Sequence, residues 1–235
     1  MLTKKPSKSV SVPNSLSSLL MKNNLGITWQ SQTASLVSLE RRTRESVVRV
    51  TIEDAKRRDF TLDTGIAFFD HMIETIAWRA CVNIDVCYEN TQFRLMHVIA
   101  EDVGIVLGMA FAKLAEARMA QGINAAGSGI LGIDEALAVA SVSFEGRAMA
   151  TLNLLRSPGA KIVQVEDALA ADMAEFFRGF SQGARATVNI QTFSGDDPHH
   201  TWEAIYRSFG LALKESLSPN PWRAGTTAGV KGTLV

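Results

Sequence analysis

The chain repeats itself. His97 stands four residues before Glu101, and Gly108, Met109 and Ala110 follow. His199 stands four residues before Glu203, and Gly210, Leu211 and Ala212 follow. Val82-Asn83-Ile84 precedes the first copy, and Val188-Asn189-Ile190 precedes the second. Repetition of this kind predicts two copies of one supersecondary unit sharing a core. The periodicity around these anchors agrees. Residues 46–52 alternate and are β-branched, predicting a strand. Residues 64–79 carry Ile66, Phe69, Ile73 and Ile76 on one helical stripe. Residues 82–88 predict a strand and 97–118 a long helix. The second half reads likewise. Strands at 138–144 and 147–154 flank a turn at Glu145-Gly146, a helix covers 168–180, a strand 186–193 and a helix 199–216. Pro219 and Pro221 stop the last helix. The expected fold is α+β, an internally duplicated half with sheets packed on helices. Its expected divisions are a segment 1–31, a first half 32–130 and a second half 131–235.

Lys plus Arg and Asp plus Glu number 24 each, so no basic surplus favours nucleic acid. The longest charge-free apolar run, roughly 103–112, falls short of the ~20 residues that span a bilayer. Cys81 and Cys87 share one strand-like stretch, too far apart for an easy disulfide, and point to a reducing compartment. The first 31 residues are Ser-rich and carry Lys4, Lys5, Lys8 and Lys22 with no acid; the first acid is Glu40. They read as a disordered tail or as an organelle transit peptide, although they lack arginine. The expected location is cytoplasmic, or a plastid if the segment is a transit peptide.

All four histidines lie at or near a helix start with an acid on the next turn. His97 and Glu101, and His199 and Glu203, are i,i+4 pairs on one helix face. His200 is three residues from Glu203, and His71 stands beside Asp70 and one turn before Glu74. Imidazole and carboxylate one turn apart can converge on one ion, and the mixture suits zinc, manganese or iron. A ligand set without cysteine favours a catalytic or substrate-binding metal over a structural zinc knot.

Several motifs then fall in a recognisable order: Thr64-Gly-Ile-Ala-Phe-Phe-Asp-His-Met72, His97…Glu101-Asp102-Val-Gly, Ile133-Asp-Glu-Ala-Leu137, Gly146-Arg147, His199-His200-x-x-Glu203-Ala and Lys231-Gly232. Together with Glu40-Arg-Arg-Thr-Arg-Glu-Ser46, they resemble the imidazoleglycerol-phosphate dehydratase family from about residue 34 to 234. The resemblance implies dehydration of imidazole glycerol phosphate to imidazole acetol phosphate in histidine biosynthesis. It implies two manganese ions per site, acting as Lewis acids and templates. It implies a homo-oligomer, usually of 24 chains, in which neighbouring subunits supply metal ligands. Carried over residue by residue, the metal ligands are His71, His97, Glu101, His199, His200 and Glu203. Glu45, Glu74 and Glu135 are the catalytic acids, with Asp134 beside the last. Arg147, Arg207 (where the family has Lys) and Lys231 are phosphate contacts. Other positions depart. Val98 stands where the family has a second adjacent histidine, and Arg79-Ala80 where it has His-Gly. Ala125 replaces an arginine after Gly122-Ile-Asn, and Val230 replaces the serine before Lys-Gly. Glu175 offers a carboxylate where the family often has an imidazole or acid nearby. Valine cannot coordinate, and a fixed guanidinium repels a divalent cation. Two expectations therefore stand: a diverged dehydratase, and a non-catalytic paralogue that keeps the fold and assembly with impaired metal binding.

Overall fold

The computed structural model describes residues 25–91 and 94–233. The first half runs β1 (Gly26–Gln32), β2 (Leu36–Arg42), β3 (Ser46–Glu53), β4 (Leu62–Asp63), α1 (Ala67–Ala80), β5 (Asn83–Asn90) and α2 (Met96–Arg118). The second runs β6 (Ala126–Ile133), β7 (Ala136–Ser143), β8 (Met149–Asn153), a 3-10 turn (Pro158–Lys161), β9 (Gln164–Val165), β10 (Ala168–Leu169), α3 (Ala170–Ala184), β11 (Thr187–Ser194) and α4 (Pro198–Leu217). A second 3-10 turn, Pro221–Arg223, starts at the second of the two prolines after α4.

The two sheets repeat strand for strand. One has the order β1-β2-β3-β5-β4, the other β6-β7-β11-β8. Leu39 pairs with Val50 and Val50 with Val86 in the first. Gly129 pairs with Ala140 and Ala140 with Ile190 in the second. β4 runs parallel to β5, as β8 does to β11. Within these two sheets β1 alone has no counterpart, and it extends the first sheet beyond β2; β9 and β10 pair only with each other, in the second half alone. Ordered structure therefore begins before residue 32. The second half opens at Ala126, because β6 is the counterpart of β2.

Three local readings change. β7 and β8 do not form a hairpin about Glu145-Gly146, because β11 lies between them and pairs with both. Cys81 is not in a strand; it is the left-handed cap that ends α1, at φ 58°. Arg185 ends α3 in the same way, at φ 49°. Counting from those two caps aligns Ile84 with Val188, so the shared Val-Asn-Ile letters are two residues out of register. An even shift keeps the same face inward, which is why both isoleucines and Val188 are buried all the same.

Each sheet buries one face, and the four helices fill the space between the sheets. α2 packs on β2 and β3, and α4 on β6 and β7. The helices themselves pair across the halves: α2 lies on α3, and α1 on α4. Glycine makes the first contact close. A Cβ at Gly104 or Gly108 of α2 would stand 2.3 Å from a carbonyl oxygen of α3, and one at Gly183 would stand 1.9 Å from that of Ile105. At the centre, Phe176, Phe177 and Phe180 of α3 meet Tyr206 and Phe209 of α4, with Phe180 and Phe209 edge-on at 4.9 Å. Phe69 of α1 and Phe111 of α2 close the cluster from either side. Burial of rings this large dominates the energetics of such a core.

Candidate metal centre

His71, His199 and Glu203 converge where α1 crosses the start of α4. Their ligand atoms lie within 4.8 Å of one another, and among the described residues no other group of three His, Cys, Asp or Glu does so. Glu203 is buried and lies between the two rings: its Oε2 is 3.7 Å from His71 Nε2 and 3.4 Å from His199 Nε2. Arg207, one turn along α4, binds the other carboxylate oxygen. That pairing gives the buried carboxylate a cationic partner on one oxygen and leaves Oε2 turned toward the two imidazoles.

The Nδ1 atoms of both rings face carboxylates. Glu166 Oε1 stands 3.0 Å from His199 Nδ1, and Glu74 Oε2 stands 3.6 Å from His71 Nδ1. At His199 the Glu166 carboxylate favours the proton on Nδ1 and turns the Nε2 lone pair outward, the arrangement that supports metal-bound histidine, whereas Glu74 lies near His71 without a hydrogen bond. The donor set of two imidazole nitrogens and one carboxylate oxygen fits a divalent first-row ion with open positions.

Local sequence explains how α1 presents His71. The Thr64 hydroxyl and N–H both donate to Asp70, at 2.7 and 3.0 Å, and Gly65 turns the chain at φ 75°. Burial raises the Asp70 carboxyl above its ordinary range despite those bonds. The first N–H groups of α1 are capped from the other half: Ala67 and Phe68 donate to Asp167 at 2.7 and 2.9 Å. Asp167 and Glu166 belong to the 154–169 connection, which corresponds to only 64–66 in the first half. Sequence reasoning missed both, because a long irregular loop has no period to read.

The duplication also shows what the other copy holds. By the helix caps, His71 corresponds to Glu175 and Glu74 to Arg178. His97 and Glu101 correspond to His199 and Glu203. Glu175 is paired with Arg178, and His97 Nδ1 faces Asp172 at 3.6 Å. His97, Glu101 and Glu175 are thus not gathered as their counterparts are.

His200 turns away from the triad. Its Nδ1 is 2.8 Å from Glu135 Oε2 and its Nε2 is 3.4 Å from Asp134. The N–H groups of Asp197 and Asp196 also reach Glu135, at 2.9 and 3.1 Å. The Asp197 N–H and the His200 ring together hold the Glu135 carboxyl down at about 2, and Glu135 in turn raises the His200 imidazole. Glu135 sits in the β6–β7 turn; its counterpart in the β2–β3 turn is Glu45, which is exposed. Val98 stands at the position in α2 that corresponds to His200 in α4.

Arg207 lies at the triad, whereas Arg147 and Lys231 do not. Arg147 follows β7, whose start carries the Glu135–His200 pair. The C-terminal segment passes the same end of β7, since a Cβ at Gly229 would stand 3.3 Å from the Glu145 carboxyl. The eight residues of β7 put that end ~26 Å from the triad side. Ala125 is buried at φ 60°, and Val230 is exposed.

Comparison with known proteins agrees with this architecture. The family described as imidazoleglycerol-phosphate dehydratase matches residues 64–213. The imidazoleglycerol-phosphate dehydratase of Paracidovorax citrulli is 33% identical over 199 residues, covering 85% of this chain and 92% of that protein. That of Thioalkalivibrio sulfidiphilus is 32% identical, covering 85% and 98%. The crystal structure of the Pyrococcus furiosus enzyme in complex with (S)-C348 superposes with a TM-score of 0.68 at 25% identity, over 82% of this chain and 98% of that one. With the duplicated sheets, the Asp-His-Met helix and the His-His-x-x-Glu helix all in place, the chain belongs to the imidazoleglycerol-phosphate dehydratase family of hydro-lyases.

Proposed function

We propose that this chain dehydrates imidazole glycerol phosphate to imidazole acetol phosphate, in a reaction that depends on a divalent metal of the manganese class. The observation that carries the reading is the triad of His71, His199 and Glu203 with a carboxylate behind each imidazole. A bound ion supplies Lewis-acid polarisation of the substrate's imidazole. The chain's own residues supply the rest. Glu203 and the two Nε2 atoms orient the ring, and Arg207 holds Glu203 in place through its other oxygen. Glu74 faces the cavity beside His71 and is the group that takes the proton from carbon or returns one to the departing hydroxyl. Glu135 is held as a carboxylate near neutral pH, so it orients His200 rather than donating a proton. Glu45 is exposed and serves a substrate held against the β2–β3 turn.

Arg147 and Lys231 lie too far from the triad to hold the phosphate of the same substrate molecule. We therefore place the complete site between two copies of the chain, one giving the triad and the other the phosphate contacts and His97, Glu101 and His200. This requires a homo-oligomer, which the family resemblance puts at 24 subunits. Among the described residues no helix is long and apolar enough to cross a membrane.

The pairing of Glu175 with Arg178 favours a second reading, a paralogue with one ion site and no turnover. Metal content and product formation with excess manganese separate the two. One ion or more per chain with manganese-dependent product supports the dehydratase. Metal bound without product, even after Val98→His and Arg79→His together, supports the paralogue.

A further inference from the structure

A cavity of ≈390 Å³ lies at the C-terminal end of α1, where residues 54–61 pass it, lined by Arg57, Phe60, Trp78, Cys81, Val82 and Asn83. It is distinct from the cavity beside the triad, which His71, Glu74, Glu203 and Arg207 line; only Trp78 belongs to both walls. Its volume is that of a site for a small organic ligand, which runs from about 300 to 1,000 Å³. The lining is apolar apart from one charge. Phe60, Val82 and the Trp78 indole form the walls, and Arg57 is the one charged lining group among the described residues. Trp78 is 54% exposed, a large ring left out of the core. By the helix caps Trp78 corresponds to Gln182, so the second half lacks this wall.

Arg57 is held in place by its neighbours. The buried Asn83 amide accepts from the Arg58 N–H and donates to the Lys56 carbonyl, both at 3.1 Å, which pins the backbone on either side of Arg57. The Arg58 guanidinium adds anchors on Glu53 and Asp85, at 3.1 and 2.6 Å. The Arg57 guanidinium then lies 4.8 Å from the centre of the Trp78 ring. Its ion pair with Asp59 is long, at 4.0 Å, and both groups are exposed. A guanidinium stacked on an indole keeps its in-plane N–H donors free for another partner.

We propose that this cavity binds a small aromatic monocarboxylate, with its ring against Trp78 and Phe60 and its carboxylate on Arg57. A carboxylate matches the planar fork with two parallel bonds. A phosphate dianion calls for more donors, whereas no second cation lines the wall and the Asn83 amide is spent on the backbone. The aromatic ring takes indole surface out of water. The site needs neither metal nor turnover, so it stands or falls apart from the dehydratase reading.

The test titrates phenylacetate into the intact chain while heat and tryptophan emission are recorded. Phenylacetamide keeps the ring without the charge, and acetate the charge without the ring. Phenylacetate should bind about tenfold more tightly than either, and Arg57→Gln should erase its advantage over phenylacetamide. Cys81, exposed at the cavity wall, reports from the site itself. In a Cys87→Ser background, saturating phenylacetate should slow alkylation of Cys81 by iodoacetamide severalfold, and the same concentration should fail to do so in Arg57→Gln. Equal binding of phenylacetate and phenylacetamide, full affinity retained in Arg57→Gln, or Cys81 unprotected at saturation overturns the proposal.

Discussion

Glu203 is the residue on which the candidate centre depends most. It is buried, shared by two imidazoles and balanced by Arg207. Glu203→Gln keeps the shape and removes the charge, leaving Arg207 without its counter-ion. Manganese affinity should fall more than about 100-fold, since loss of even an outer partner costs 10–100-fold. Glu166→Gln removes only the carboxylate behind His199, so the expected loss lies within that 10–100-fold range, read by metal titration. The contrast shows what single residues reveal in sequence. His199 and Glu203 announce themselves because i,i+4 spacing is a geometric statement about one helix face. His71 was legible through its Asp-His-Met neighbours. Glu166 carries no such mark, because its place beside His199 is set by a loop folding back over another element. Nor could spacing tell that His200, adjacent to His199, turns to Glu135 instead of the triad.

Among the elements, the strands and long helices followed their periods, while the pairing order did not. Nothing in residues 138–154 says that β11 will insert between β7 and β8; that order is fixed by the crossover through α3. β1, β2, β4 and β6 also escaped; β4 is only two residues long, and β6 holds Gly127, Gly129 and Gly132. Two tests belong at this scale. Gly183→Ala drives a methyl into the Ile105 carbonyl of α2, with no flexible side chain to yield. It should cost about 1–3 kcal/mol, visible as a lower Tm. The second concerns Arg58, which ties the 54–61 segment to β5 by bonding both oxygens of Asp85, at 3.0 and 2.6 Å. Burial pushes the Asp85 carboxyl up, but Arg58 and the Thr61 N–H outweigh it and lower it overall. A lowered native value contributes stability above the ordinary Asp range, lost as pH falls through the native one. Asp85→Asn should therefore cost about 1 kcal/mol at pH 7, the pair being partly exposed. The Tm gap from wild type should narrow on acidification toward pH 3; a gap that widens instead rules out the pair as its source.

For the whole molecule, the decisive expectation is complementation between copies. Glu203→Gln lacks a working triad, and Arg147→Ala with Lys231→Ala lacks the distant cations. Each alone should be nearly inactive. Co-assembled from a mixed, unfolded pool, they should recover activity, because some interfaces then combine an intact triad with intact cations. Mixtures no better than the sum of their parts would mean that one chain holds the entire site.

The pairing of helices across the halves reaches further than stability. A single half released from the chain would expose the surface that Phe180 and Phe209 now hide, and two such halves would have to meet before either persisted. The present chain is in effect a homodimer whose partners have been joined end to end through 119–125, which fixes their ratio at one to one. Partners encoded separately by one message must stay identical; partners joined in one message need not. The two copies accordingly differ: one carries His71 where the other carries Glu175, and only the second has a connection long enough to reach His199 and the start of α1.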